Sequence, residues 1–140
     1  MENFTFSTRI DVRISDINYG GHLGNDRYLA FFHEARIRYL KQLDLSEIDI
    51  GDGAGLIMTE SHVNYKAEAF LGDVLDVGVR ISEIKGSRFL MEYQLLRVSD
   101  QRIVGTGYTQ LVAFNYAKRK IVPLPSSFSS RITGYERNLG

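Results

Sequence analysis

The chain contains no cysteine, which excludes disulfides, thiolate nucleophiles and zinc sites built on sulfur in one step. Proline is nearly missing as well. Its two copies, Pro123 and Pro125, stand close together near the end, so everything before them is free of the strongest breaker of helices and sheets. No excess of one charge exists either: Lys plus Arg and Asp plus Glu both number 17, and the formal net charge is zero. The broad positive field that nucleic-acid binding requires is therefore not supplied. No window approaches the roughly 18 apolar residues of a membrane span, and Met1 to Phe6 lacks a basic stretch followed by an apolar run. These absences lead to the expectation of a soluble protein of the cytoplasm, with no membrane span and no nucleic-acid partner.

What is present is ordinary globular material. The 140 residues are 44% apolar and 24% charged, with eight Tyr and eight Phe, enough to enclose a core without metal or cross-links. No linker, repeat or low-complexity tract interrupts them, so residues 1–140 are expected to form one domain.

Thr8 to Ile14 alternates polar and apolar residues, placing Ile10, Val12 and Ile14 on one face of a half-buried strand. Gly20, Gly21, Gly24 and Asn18 then mark Asp16 to Gly24 as a loop. Asn25 is a good N-cap for a helix whose buried stripe is Tyr28, Phe32, Ala35, Tyr39 and Leu43, widened by Leu29, Phe31 and Leu40. Four further strands follow over Leu56 to Tyr65, Val74 to Ile84, Phe89 to Val98 and Ile103 to Tyr116. Turn residues separate them at Gly72-Asp73, Lys85-Gly86-Ser87, Ser99-Asp100-Gln101 and Ala117-Lys118-Arg119. One helix and a meandering antiparallel sheet make an α+β arrangement, and its open sheet edges favour self-association.

Asp16, Asn18, His22 and Asn25 crowd into ten residues at the start of that helix, where unpaired backbone amides favour developing negative charge. A carboxylate, or a water held by one, together with fixed donors for an oxyanion, is what thioester hydrolysis needs. Read from the residues alone, the segment is equally well a tight glycine turn with a cap at Asn25 and a loop-fixing His22. His33 and His62 have no metal-ligand spacing, and no metal is expected.

The run Asp16-Ile17-Asn18-Tyr19-Gly20-Gly21-His22-Leu23-Gly24-Asn25, with Tyr28-Leu29 and Glu34-Ala35-Arg36, resembles the signature of the 4-hydroxybenzoyl-CoA thioesterase-like branch of hotdog acyl-CoA thioesterases. That pattern is Asp-x-Asp-x-x-Gly-His-x-Asn-Asn followed by a Tyr and Glu-x-Ala-Arg. Tyr65 with Gly72-Asp73, and Val122-Pro123-Leu124-Pro125, resemble later phrases of the family, so the likeness covers nearly the whole chain.

The resemblance implies a hotdog fold, a five-stranded antiparallel sheet wrapped around one long central helix, assembled as a homodimer or homotetramer. It implies hydrolysis of an acyl-CoA to the free acid and CoA, with no cofactor beyond the CoA of the substrate. The second acid of the motif falls on Asn18, whose neutral amide cannot act as base. Asp16 is then expected to take the carboxylate role, with Asn18 and His22 positioning and the amides around Asn25 holding the oxyanion. Gly21, Gly24, Tyr28 and Tyr65 are expected to shape the substrate site.

Glu34, set apart from the buried stripe, and Glu60 are the other carboxylates to weigh, Glu34 facing a partner or a cleft. Arg36, at the stripe's edge, requires a carboxylate partner, for which Asp16 is the candidate. Arg88, Lys118, Arg119 and Lys120 form basic turns that suit either CoA phosphates or plain solvation. Two other functions are open: a hotdog protein that binds an acyl or aromatic ligand without hydrolysis, and an acyl-ACP thioesterase.

Overall fold

The computed structural model describes residues 3–137. The first strand, β1, spans Phe6–Asp11, beginning two residues and ending three residues earlier than the alternating run. Ile10 and Val12 are buried, but Ile14 is exposed at the start of a 3-10 turn, Ile14–Asp16, and does not share their face. The Asp16 carboxylate causes the early exit: its Oδ2 accepts from the Arg13 N–H at 2.9 Å and bends the chain out of the sheet.

The long helix, α1, runs over Arg27–Lys41 and buries Tyr28, Phe31, Phe32, Ala35, Tyr39 and Leu40, as the spacing predicts. Its start differs from expectation. Asp26, not Asn25, is the N-cap, and it makes no side-chain cap bond because its own backbone is already helical (φ −70°, ψ −20°). The helix grows out of a turn in which the Arg27 N–H donates to the Gly24 carbonyl at 2.9 Å, and the Asn25 side chain stays exposed. Leu43 lies beyond the last helical turn and packs on the core from the following loop.

Strands β2 (Gly55–Tyr65), β3 (Val74–Lys85), β4 (Arg88–Arg97) and β5 (Arg102–Asn115) follow, and every pairing is antiparallel. The order across the sheet is β1-β3-β4-β5-β2, so the two edges belong to β1 and β2. The expectation of five strands and one helix is corrected on two counts. A two-residue strand, β6 (Lys120–Ile121), folds back on β5 after the basic turn. A second helix, α2 (Ser126–Glu136), closes the chain and buries Phe128 and Ile132 against the core. Among the described residues no helix is long and apolar enough to cross a membrane.

The sheet wraps α1 closely because β5 presents glycine where the helix lies. A Cβ on Gly107 would sit 2.6 Å from the Phe32 ring and 2.3 Å from the His62 carbonyl oxygen; one on Gly105 would sit 2.9 Å from the Tyr28 ring. Only backbone fits there. Phe32 in turn stacks on Tyr93 of β4, ring centroids 4.5 Å apart and nearly parallel. At the far end of α1 the carboxylate of Glu136 is buried and satisfied by the hydroxyls of Thr5 and Tyr39 and the N–H of Ile81, tying α2 to the residue before β1, to α1 and to β3.

Candidate active site

The loop from Asp16 to Asn25 is a rigid frame rather than a free connection. The Gly24 N–H donates to the Asp16 carbonyl (3.0 Å), the Asn18 N–H to His22 (2.9 Å), the Gly21 N–H to Asn18 (3.0 Å) and the Leu23 N–H to Ala69 (2.8 Å). Gly21 turns with φ +82°, a value suited to glycine. Gly24 is packed so tightly that a Cβ would meet Asp26 Oδ1 at 2.8 Å and Asn18 at 3.4 Å.

Asp16 sits beneath this frame with its side chain wholly buried. Its Oδ1 takes Arg27 Nε (3.1 Å) and Nη2 (3.0 Å), while Oδ2 takes the Arg13 amide, with Arg13 Nε at 3.6 Å. Both oxygens are therefore committed to holding the turn, and neither faces a cleft. The expected ion pair between Arg36 and Asp16 does not form. Arg36 instead bonds Glu47 in the loop after α1 (3.2 Å) and the Tyr93 hydroxyl (3.1 Å), because its end of the helix points away from the loop that Asp16 anchors.

Asn18 is exposed and its Oδ1 accepts from the Gly20 N–H at 2.9 Å. His22 is half-buried, with Nδ1 3.2 Å from the Leu23 carbonyl oxygen. A donor at Nδ1 leaves Nε2 of the neutral ring as a free acceptor, the form a general base needs. Neither the Asn25 nor the Asp26 N–H meets an acceptor among the described residues, so the start of α1 presents open donors.

His22 and Asn25 share the wall of a cleft of about 550 Å³ with Tyr28, Tyr65, Glu68 and Arg102. The two tyrosines are buttresses. The Tyr28 hydroxyl donates to Ala67 (3.0 Å), that of Tyr65 to the Asn25 carbonyl (3.2 Å), and their rings meet edge to face at 4.7 Å. Burial first, then the neighbouring Tyr65 and Glu68, pushes the Tyr28 phenol up, so it stays a neutral donor.

Glu34 is half-exposed on α1 and paired with Arg38, one turn on; it faces neither this cleft nor any charge from the loop. Glu60 is exposed on β2, immediately after a register irregularity that follows Met58, and lies outside the cleft as well. Arg88 pairs with Glu83 at 3.0 Å, and Arg119 lies 5.5 Å over the Phe114 ring, so these basic turn residues have local partners.

Sequence reasoning missed the residues that the β2–β3 loop and the β4–β5 hairpin bring to the cleft: Lys66, Glu68 and Arg102. Lys66 and Arg102 are exposed and form no ion pair among the described residues, whereas the neighbouring Arg97 is pinned by Asp100 and by the Glu68 carbonyl. Asp100, held by that guanidinium, has its carboxyl pulled below the ordinary range. Among the described residues no three His, Asp or Glu side chains converge as metal ligands would.

Comparison with known proteins bears on this geometry directly. The sequence model of the Thioesterase-like superfamily matches residues 12–132. An acyl-CoA thioesterase, YbgC, of Haemophilus influenzae is 29% identical, the match covering 86% of this chain and 88% of that one. A 1,4-dihydroxy-2-naphthoyl-CoA hydrolase of Synechocystis is 27% identical over 91% of this chain and 94% of its own. A solved thioesterase from Thermus thermophilus, complexed with coenzyme A and Zn, superposes with a TM-score of 0.86 at 29% identity, covering 99% of both chains.

Proposed function

This chain belongs to the thioesterase-like superfamily, and from that premise we propose that it hydrolyses acyl-CoA thioesters to the free acid and coenzyme A. The observation that carries the proposal is the cleft itself, where His22 and Asn25, the residue just before the cap of α1, line one wall. The relatives, an acyl-CoA thioesterase and a 1,4-dihydroxy-2-naphthoyl-CoA hydrolase, support the reaction and the CoA carrier.

In the proposed reaction a water attacks the thioester carbon while His22 Nε2 takes its proton. The carbonyl oxygen, negative in the tetrahedral intermediate, lies against the Asn25 and Asp26 N–H groups and the positive end of α1. The C–S bond then breaks, and the proton held by His22 passes to the departing thiolate, giving acid and CoA. Asn18 and the Asn25 side chain orient the water and the thioester. Asp16 acts as a positioning residue, since the seal around its carboxylate suits it to fixing the loop and not to attack. Lys66 and Arg102 offer the cleft's free positive charge to the phosphates of CoA.

We further infer that the protein works as a homo-oligomer. The free edge of β2, with Met58 and Tyr65 exposed beside it, supports pairing with a second copy, which would also cover the flank of α1.

The test is thiol release from a panel of short-chain, long-chain and aromatic acyl-CoAs by the purified protein. Release from at least one class is expected. Silence across the panel overturns the reading, and tight binding without release would make this a carrier of acyl groups instead.

A further inference from the structure

Arg97, the last residue of β4, lines the cleft at the start of α1 but adds no free charge to it. Its side chain is only 12% exposed, and all three of its nitrogens are occupied. Nε and Nη2 donate side by side to the two carboxylate oxygens of Asp100, each at 3.0 Å. Nη1 donates to the Glu68 carbonyl at 2.7 Å and lies 3.6 Å from Asp73 Oδ2. Only the planar fork of a guanidinium can serve these acceptors together.

Its partners belong to the two segments that bring positive charge to the cleft. Asp100 Oδ1 also accepts the Arg102 N–H at 3.2 Å, so the grip on Asp100 fixes the backbone from which the Arg102 side chain departs. Glu68 stands two residues after Lys66, whose own N–H donates to the Val104 carbonyl of β5 at 3.0 Å. Asp73 Oδ2 takes the Phe70 N–H at 2.9 Å in the same loop. One guanidinium thus joins the β2–β3 loop to the β4–β5 turn. The ladder makes its presence there costly, because β4 and β5 set Arg97 directly opposite Arg102, and like charges in that relation repel. Asp100 and Asp73 offset the charge of Arg97, while Lys66 and Arg102, exposed and without an ion pair among the described residues, keep theirs unspent.

We propose that Arg97 is a positioning residue for the carrier end of the substrate: it holds the segments bearing Lys66 and Arg102 in place to meet the phosphates of CoA, and does not itself touch the thioester. The inference rests on the hydrolase reading above and adds to it the residue that sets the preference for a phosphate-bearing carrier. Segments left loose would have to be ordered as CoA arrives, and that cost falls on affinity, not on the chemical step. A lysine at this position keeps the charge and loses the fork.

The experiment places one acyl group on two carriers, CoA and phosphate-free pantetheine. The native protein is expected to favour the CoA thioester by about 10- to 100-fold in kcat/KM, expressed in KM. Arg97→Lys and Asp100→Asn should each shrink that preference at least about fivefold by raising KM for the CoA thioester, Asp100→Asn at a half-exposed position being the second route should Arg97→Lys destabilise the chain. In a Lys66→Gln, Arg102→Gln background, Arg97→Lys should alter the preference by less than about twofold, because the groups it positions are gone. Equal losses on both carriers, the mark of a merely structural role, overturn the inference, as does a native protein indifferent to the carrier; both leave the hydrolase reading intact. If neither thioester is cleaved, the hydrolase reading fails and calorimetric titration with CoA itself decides this one. An affinity that Arg97→Lys leaves at its native value then sinks it, and a weakening of about fivefold or more sustains it.

Discussion

Arg27, the first residue of α1, reaches back across the loop it follows and grips Asp16 with two nitrogens, Nε at 3.1 Å and Nη2 at 3.0 Å from the same carboxylate oxygen. The loop between them thereby becomes a closed frame, and the start of the helix is fixed relative to His22. Asp16→Asn puts an amide donor against the guanidinium, and is expected to destabilise the protein by about 2 to 4 kcal/mol. Arg27→Met should lower stability and thiol release in parallel with it. An Asp16→Asn protein of native stability that has lost all turnover, beside a fully active Arg27→Met, would mean that the carboxylate takes part in the chemistry directly.

For His22 the expectation is the reverse pattern. The ring is half-buried at the edge of the frame and holds up nothing beneath it. His22→Gln should leave the thermal midpoint near native and reduce kcat about 100- to 10,000-fold, the range a positioned general base contributes. Full activity in that variant would move the proton-accepting role elsewhere, Glu68 being the other group of the cleft to try.

The close approach of α1 to β5 leaves Gly107 less room for a Cβ than any other glycine of the sheet among the described residues. Gly107→Ala drives a methyl against both Phe32 and the backbone oxygen of His62, at a cost of about 1 to 3 kcal/mol or more. Chemical denaturation should show this as a lower midpoint. Adding Phe32→Leu should recover part of the loss and no more, because the clash with the carbonyl persists.

Alkaline pH should unfold the protein cooperatively. Burial pushes the phenols of Tyr28, Tyr39 and Tyr93 above their ordinary value of 10.0, with Glu136 adding to the effect at Tyr39. A raised value in the folded state means that these groups keep their protons where the unfolded chain has lost them. Their contribution is thus fully present below pH 10 and declines above it, by about 1.4 kcal/mol per pH unit for each tyrosine. Phenolate absorbance followed against pH should show the signal of these three appearing only with unfolding. Tyr93→Phe should make the alkaline decline shallower.

The central helix and its buried face were legible because their signal is local: Tyr28, Phe32, Ala35 and Tyr39 recur with the helical period whatever surrounds them. The four strands after it were legible for the same reason, to within a residue or two at each end. Helix α2 was not. Ser126, Ser127, Ser129, Ser130 and Gly134 argue against helix within their own segment, and what secures it is the contact of Glu136 with Thr5 and Ile81, more than fifty residues away in sequence.

Partners were harder to read than positions. The cost of burying Arg36 demands a carboxylate, but whether Asp16 or Glu47 supplies it depends on the path of the loop after α1. The loop from Asp16 to Asn25 was legible as a unit, from its glycines and its family pattern. Its assembly with Lys66, Glu68 and Arg102 depends on two loops from other parts of the sheet, and no spacing within the sequence encodes that meeting.

Because the frame of the loop from Asp16 to Asn25 is secured from below, the residue at its tip owes nothing to its neighbours: the Tyr19 side chain projects entirely into solvent. The protein thus carries a natural attachment point beside the cleft that His22 and Asn25 line. A fluorophore installed at that position would sense the arrival and departure of thioester while the scaffold underneath stayed as it is.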